Sequence, residues 1–128
     1  MLQNSNAFSG YSVNDAAAAK QFYENTLGLT AKEDWMGLQL KFPNGNIVFL
    51  YQKDAHEPAT FTVLNFPVED IDGAIDELSA AGVVFERYPD MPAEQDEKGI
   101  LRGKAAGQGP DIAWFKDPAG NILSVLSA

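Results

Sequence analysis

The sequence predicts an α+β fold made of two βαβββ modules, and three repeated landmarks predict it. The first is a turn. Pro43-Asn44-Gly45-Asn46-Ile47, followed by Val48-Phe49-Leu50-Tyr51, returns as Pro118-Ala119-Gly120-Asn121-Ile122, followed by Leu123-Ser124-Val125-Leu126. In each copy the proline fixes φ, the glycine supplies a positive φ, and an aromatic residue (Phe42, Phe115) stands just upstream. The second landmark is a helix start, Val13-Asn14-Asp15, matched by Val68-Glu69-Asp70. The third is a helix end, Leu27-Gly28-Leu29, matched by Ala81-Gly82-Val83. A repeated turn alone is compatible with two unrelated hairpins. Three landmarks in the same order are an internal duplication.

Taken in order, Phe8 to Val13 reads as a short strand, and Asn14-Asp15 offers an N-cap to a run of helix formers. Ala19, Phe22, Tyr23, Thr26 and Leu27 fall on one helical face, and Gly28 stops the helix. Strands are expected over 30–35, 37–42 and 47–51, the last two joined by the Pro43–Asn46 turn. Gln52–Ala59 is a polar connector. The order then repeats: an extended Thr60–Val68, with Pro67 at its end or on an edge, and a helix capped by Glu69-Asp70 with Ile71, Ala74, Ile75 and Leu78 on its apolar face. A strand is expected over Val83–Tyr88, an irregular segment from Pro89 to Pro110, and strands over Asp111–Lys116 and after the second turn. The expected organisation is a single domain over 1–128, with module one at about 7–52 and module two at about 60–127.

Composition excludes several classes of function. A chain of 128 residues buries a core without staples, and 45% apolar with 21% charged residues is the balance of a globular protein. No apolar run approaches the ~20 residues of a membrane helix, and the first six residues lack the basic start and apolar core of a signal peptide. Zero cysteines exclude disulfides, zinc ribbons and thiol catalysis, and fit a cytoplasmic setting. The net charge of −9 would repel nucleic acid. It serves solubility, or recruits a cationic ligand.

The run Val13-x-Asp15 followed by Phe22-Tyr23-x-x-x-Leu27-Gly28-Leu29 resembles the first module of the vicinal oxygen chelate superfamily, which includes glyoxalase I, bleomycin-resistance proteins, fosfomycin-resistance enzymes and extradiol dioxygenases. Phe115-Lys116-Asp117-Pro118-Ala119-Gly120-Asn121 resembles its closing hairpin. The resemblance covers about residues 7 to 127 and implies sheets curved around a cavity, often with pairing into a homodimer. It also implies a divalent metal held by His, Gln or Glu on the first and last strand of each module. Carried onto this sequence, those positions are Phe8, Phe49, Val63 and Ser124, none a usual ligand, and the neighbouring residues do not rescue the site. Without them the expectation is no metal and no cofactor.

Side chains two apart on a strand share a face, so Tyr51 joins Phe49 and Asn65 joins Val63. With Phe8 and Trp114 they form an aromatic and aliphatic cup, oriented by Asn65 and Ser124, and Arg102 is a candidate anion clamp. Trp35 and Met36 are either packing or an adaptable rim. Two groups are candidates for acid–base work. Glu86 shares a face with Tyr88 and is either a carboxyl of raised pKa or an edge charge paired with a neighbouring cation. His56, the only histidine, is either a solvated loop residue, a rim residue or a general base. The reading that follows is a metal-free protein binding an apolar or aromatic small molecule. The alternatives are a metal-dependent lyase, isomerase or dioxygenase with unusual ligands such as His56 and Glu86, or a metal-free acid–base enzyme.

Overall fold

Asp15 and Asp70 occupy equivalent places in the repeat, and each opens a helix in the same way. The Asp15 carboxylate accepts hydrogen bonds from the backbone N–H groups of Ala17 and Ala18 (3.1 and 3.2 Å), and Asp70 accepts from Gly73 (3.1 Å). Each cap residue is extended while its carbonyl already accepts the first helical bond, from Ala19 and Ala74 respectively. The computed structural model describes residues 1–91 and 93–127. The chain divides into two compact units, Met1–Pro58 and Ala59–Ala128.

In the first unit, β1 (Ser9–Val13) leads into α1 (Ala16–Gln21), which continues as a π-helical turn over Phe22–Thr26, and then into β2 (Thr30–Glu33), β3 (Leu38–Lys41) and β4 (Ile47–Gln52). The strand order is β1-β4-β3-β2, with β1 and β4 parallel and the other pairs antiparallel. In the second unit, β5 (Thr62–Pro67), α2 (Ile71–Ala80), β6 (Leu101–Arg102), a short α3 (Gly103–Ala106), β7 (Asp111–Lys116) and β8 (Ile122–Ser127) give the order β5-β8-β7-β6 with the same senses. The duplicated turns match bond for bond. Phe42 N–H donates to Asn46 O and Gly45 N–H to Phe42 O, both at 3.0 Å; Asp117 N–H donates to Asn121 O and Gly120 N–H to Asp117 O, also at 3.0 Å. Gly45 and Gly120 hold φ of +90° and +83°, which side-chain-bearing residues rarely adopt.

Strand alternation gives each sheet one buried face. Tyr11, Val13, Leu38, Leu40, Val48 and Leu50 are buried in the first unit together with Ala19 and Tyr23 from the helical segment, and the Tyr11 and Tyr23 hydroxyls bond at 2.8 Å. Ala113, Phe115, Leu123 and Val125 are buried in the second, with Ile71 and Ile75 from α2. Full burial of a Leu, Val or Phe side chain contributes about 1.5–3 kcal/mol.

Two expectations change. Val83–Tyr88 does not form a regular strand: among the described residues its backbone pairs with β7 through one bridge, Phe85 to Phe115, and one bond, Glu86 N–H to Trp114 O at 2.8 Å. The remaining edge of β7 is taken by Leu101–Arg102, from the segment expected to be irregular. Gln95 explains the switch. Its side chain accepts from Tyr88 N–H (2.5 Å) and donates to Glu86 O (3.0 Å) and Gly99 O (2.8 Å), doing for these backbone groups what a neighbouring strand would do. Arg87 donates to the carbonyls of Asp96 and Glu97, and Ile100 is fully buried, so the long segment is fastened down. Among the described residues, no helix is long and apolar enough to cross a membrane.

Candidate ligand-binding site

The face of the second sheet away from its helix gathers three of the expected site residues into one row. Asn65 on β5 stands opposite Ser124 on β8, and Ser124 stands opposite Trp114 on β7. The Ser124 hydroxyl, fully buried, donates to Asn65 Oδ1 at 2.5 Å, while Asn65 itself is exposed. The Trp114 indole N–H donates to Thr62 Oγ1 at 3.1 Å, which fixes the plane of the ring. Tyr88 meets Trp114 edge to face, with ring centroids 5.5 Å apart and planes at 73°. Lys116, two residues along from Trp114, pairs with Glu86 at 3.1 Å. The result is a half-buried aromatic corner with polar groups on its margins.

Val63 departs from its expected register. Thr62 stands opposite Ile122 and Leu64 opposite Leu123, so Val63 is the extra residue of a β-bulge. The bulge brings Thr62 to Trp114. Glu86 is paired with a neighbouring cation, Lys116. The Tyr88 hydroxyl is pushed up from its usual range by burial and by the Glu86 charge, so it stays protonated at neutral pH.

The first unit places Phe49 opposite Gly10 and Gln39, and Tyr51 opposite Ser12, all on the face away from α1. The Phe49 and Tyr51 rings stack, with centroids 6.1 Å apart and planes at 21°. Phe8 lies one residue before β1, is 67% exposed, and lines an open depression of about 560 Å³ with Asn6, Asn46 and Ile47. His56 is no freely solvated loop residue. Its Nδ1 lies 2.7 Å from Ser12 Oγ, tying the connector to β1. Trp35 is 92% exposed and Met36 52%, so neither is packing.

Arg102 is placed on the helix side of the second sheet. Its guanidinium grips Asp72 of α2 through two bonds (2.8 and 3.1 Å), Asp96 at 3.0 Å and Asp111 at 3.7 Å. The Asp72 and Asp96 carboxylates raise the Arg102 pKa further, and the Arg102 hydrogen bond is the largest cause holding the Asp72 carboxyl below its usual range, with Lys98 adding to it. This is a clasp between α2 and the 95–111 segment, and it leaves little of the guanidinium for an incoming anion.

A divalent ion does not fit the positions to which the family resemblance assigns one. Phe8, Phe49 and Val63 carry no donor, and the Ser124 hydroxyl is buried and committed to Asn65. Among the described residues, no group of three or more His, Cys, Asp or Glu side chains is arranged to hold an ion. Sequence reasoning missed Thr62, because a bulge leaves no mark in the residue pattern. It also missed Lys116, although its place two residues after Trp114 on one strand was signal enough. Tyr88 was visible as the face-mate of Glu86 but was not counted in the site.

The comparisons agree with this architecture. The family model described as Glyoxalase/Bleomycin resistance protein/Dioxygenase superfamily matches residues 7–125. No curated protein matches the sequence. Among solved structures, a member of that superfamily from Sphaerobacter thermophilus DSM 20745 is 25% identical, with a TM-score of 0.68, over 99% of this chain and 100% of its own. TnmS3, an antibiotic binding protein from Streptomyces sp. CB03234, is 20% identical with a TM-score of 0.64, over 97% of each chain. The fosfomycin resistance protein FosX from Listeria monocytogenes is 13% identical with a TM-score of 0.68, over 98% of this chain and 93% of its own. The duplicated βαβββ architecture and the match over nearly the whole length lead to one conclusion: this chain belongs to the Glyoxalase/Bleomycin resistance protein/Dioxygenase superfamily.

Proposed function

We propose that this chain binds a planar, largely apolar small molecule without the help of a metal, on the face of the second sheet that carries Trp114. The observation behind this reading is the row Asn65–Ser124–Trp114, in which a buried serine stands beside an oriented indole at a position where the resemblance implies a metal ligand. An indole fixed by Thr62 and flanked by Tyr88 offers a flat apolar wall, and Asn65 offers an exposed amide for orientation. The antibiotic-binding neighbour gives this reading a precedent in the same fold. Phe49 and Tyr51, stacked on the first sheet, and the exposed Phe8 are apolar surface of the same kind. We read the chain as cytoplasmic, in keeping with its lack of cysteine, and as a homodimer that covers the exposed Phe8 and Tyr51 of the first unit. Equilibrium sedimentation at micromolar concentration gives twice the chain mass on this reading and a single chain mass if it is wrong.

The test of binding uses the two tryptophans. Trp35→Phe removes the exposed one and leaves Trp114 as the sole indole. A panel of planar aromatic metabolites, aromatic antibiotics and divalent ions is then screened by Trp114 fluorescence and by melting temperature, since a ligand selective for the folded state raises the latter. Saturable quenching by planar aromatics together with a raised melting temperature supports the reading. Stabilisation by divalent ions alone, with no response to any organic ligand, overturns it.

A further inference from the structure

The Ser124 hydroxyl decides which way the Asn65 amide faces. The two side chains meet at 2.5 Å across β5 and β8. That separation suits an O–H···O bond and is shorter than N–H···O bonds run, so the amide oxygen is the atom turned to the serine. Asn65 Oδ1 is thereby occupied, and its NH₂ group is turned away from Ser124. Among the described residues neither hydrogen of that group has a partner. Asn65 is exposed, so these two donors are open to a ligand, whereas Ser124 is buried and acts only through Asn65.

Trp114 stands in the same row, on the far side of Ser124, with its side chain on the same face. Two strand spacings put the Asn65 and Trp114 Cα atoms roughly 10 Å apart. The long indole, held by Thr62, narrows that gap to one that a flat bicyclic ring can bridge. An acceptor in the plane of such a ring, a ring nitrogen or a carbonyl oxygen, points at the amide while the face of the ring packs on Trp114. We propose that Asn65 is the specificity-determining residue of this site, that its NH₂ group donates to a neutral in-plane acceptor on the ligand, and that Ser124 is the residue that positions it. The net charge of −9 disfavours an anionic acceptor. This inference rests on the planar-ligand reading above and adds the polarity of the ligand's edge.

Flat bicyclic probes of similar size test it. Isoquinoline has a ring nitrogen that accepts, indole has an N–H that donates, and naphthalene has neither. Their affinities are measured by equilibrium dialysis in mildly alkaline buffer, where isoquinoline is neutral, on the parent protein, Asn65→Asp and Ser124→Ala. The parent is expected to bind isoquinoline roughly tenfold tighter than naphthalene, and indole no tighter than naphthalene. Asn65→Asp keeps the shape of the side chain but can only accept, so isoquinoline loses its advantage and indole gains one. In Ser124→Ala the amide turns freely, and the preference for isoquinoline over indole shrinks. Equal affinities in the parent overturn the inference, as does a preference for indole there or a preference for isoquinoline that survives Asn65→Asp; each leaves planar binding intact. A preference unchanged by Ser124→Ala overturns the positioning role of the serine. The ranking in the parent needs no variant, so it decides the matter even where a variant fails to fold. If none of the probes binds, the planar-ligand reading falls and this inference falls with it.

Discussion

Replacing Asp117 with alanine tests how the second module keeps its closing turn. Asp117 is 5% exposed and Asn121 2%. One carboxylate oxygen accepts from the backbone N–H groups of Ala119 and Asn121, both at 2.9 Å, and the other from Asn121 Nδ2 at 3.0 Å. Hydrogen bonds to a charged acceptor contribute about 1.5–3 kcal/mol each and are not additive, so losing all three at a buried site costs about 3–5 kcal/mol. For a chain of this size that is a fall in melting temperature of roughly 10–20 °C. The first module supplies the control. Its turn has the same backbone bonds, but its side-chain contribution is a single exposed one, Asn44 Oδ1 accepting from Asn46 N–H at 3.0 Å. Asn44→Ala therefore costs about 0.5–1 kcal/mol. Asp117→Asn falls between them, because it keeps one acceptor and sets an NH₂ against Asn121 Nδ2. The assay is urea unfolding of all three variants by far-ultraviolet circular dichroism, fitted for stability in water. Equal stability of Asp117→Ala and Asn44→Ala would refute the reasoning, since it would mean that burial adds nothing to the second turn.

Three further outcomes follow from the geometry. The Asp72 carboxyl is held below its usual 3.8 chiefly by Arg102, so the pairing stabilises the folded chain above pH 3.8 and stops doing so as pH falls through the lowered value. The stability gap between the parent and Asp72→Asn is accordingly constant near neutrality and closes in acid, as chemical unfolding at several pH values would show. The raised pKa of Tyr88 has the opposite consequence: the folded chain must hold a proton that the unfolded chain releases. The parent loses stability relative to Tyr88→Phe as pH rises through about 10, a trend that the same experiment in alkali reads out. Gly103→Ala puts a Cβ 2.3 Å from the Pro110 carbonyl oxygen and 2.9 Å from that of Gly109, both on the backbone. It costs about 1–3 kcal/mol in the same unfolding assay, because neither neighbour can swing aside.

The parts of the fold that were legible in the sequence are those written in local chemistry. Asp15 and Asp70 cap helices because a short carboxylate reaches its own first turn, and Gly45 and Gly120 turn the chain because the backbone there needs a positive φ. Each needs only its near neighbours, so each shows as a pattern in the residues. The features that did not show depend on long-range partners. Val83–Tyr88 has the alternation of a strand, and its side chains do alternate: Phe85 packs on Phe115, while Glu86 and Tyr88 reach Lys116 and Trp114. Its backbone bonds are diverted because Gln95 intercepts them. Arg102, a candidate anion clamp in the sequence, meets Asp72 only because α2 folds against the segment that carries it. Asn65, Ser124 and Trp114 were named as site residues one strand at a time; that they form a single row follows from the β5–β8–β7 register.

The central claim is that the Trp114 face holds its ligand with no ion in place of the missing coordinating side chains. The most direct measurement is the affinity, for Trp35→Phe protein before and after exhaustive chelation, of the planar aromatic that quenches Trp114 most strongly in the screen, alongside elemental analysis of the purified chain. An unchanged affinity and no stoichiometric divalent ion are the predicted result. An ion present at one per chain, with binding lost on its removal and restored by its return, would contradict it.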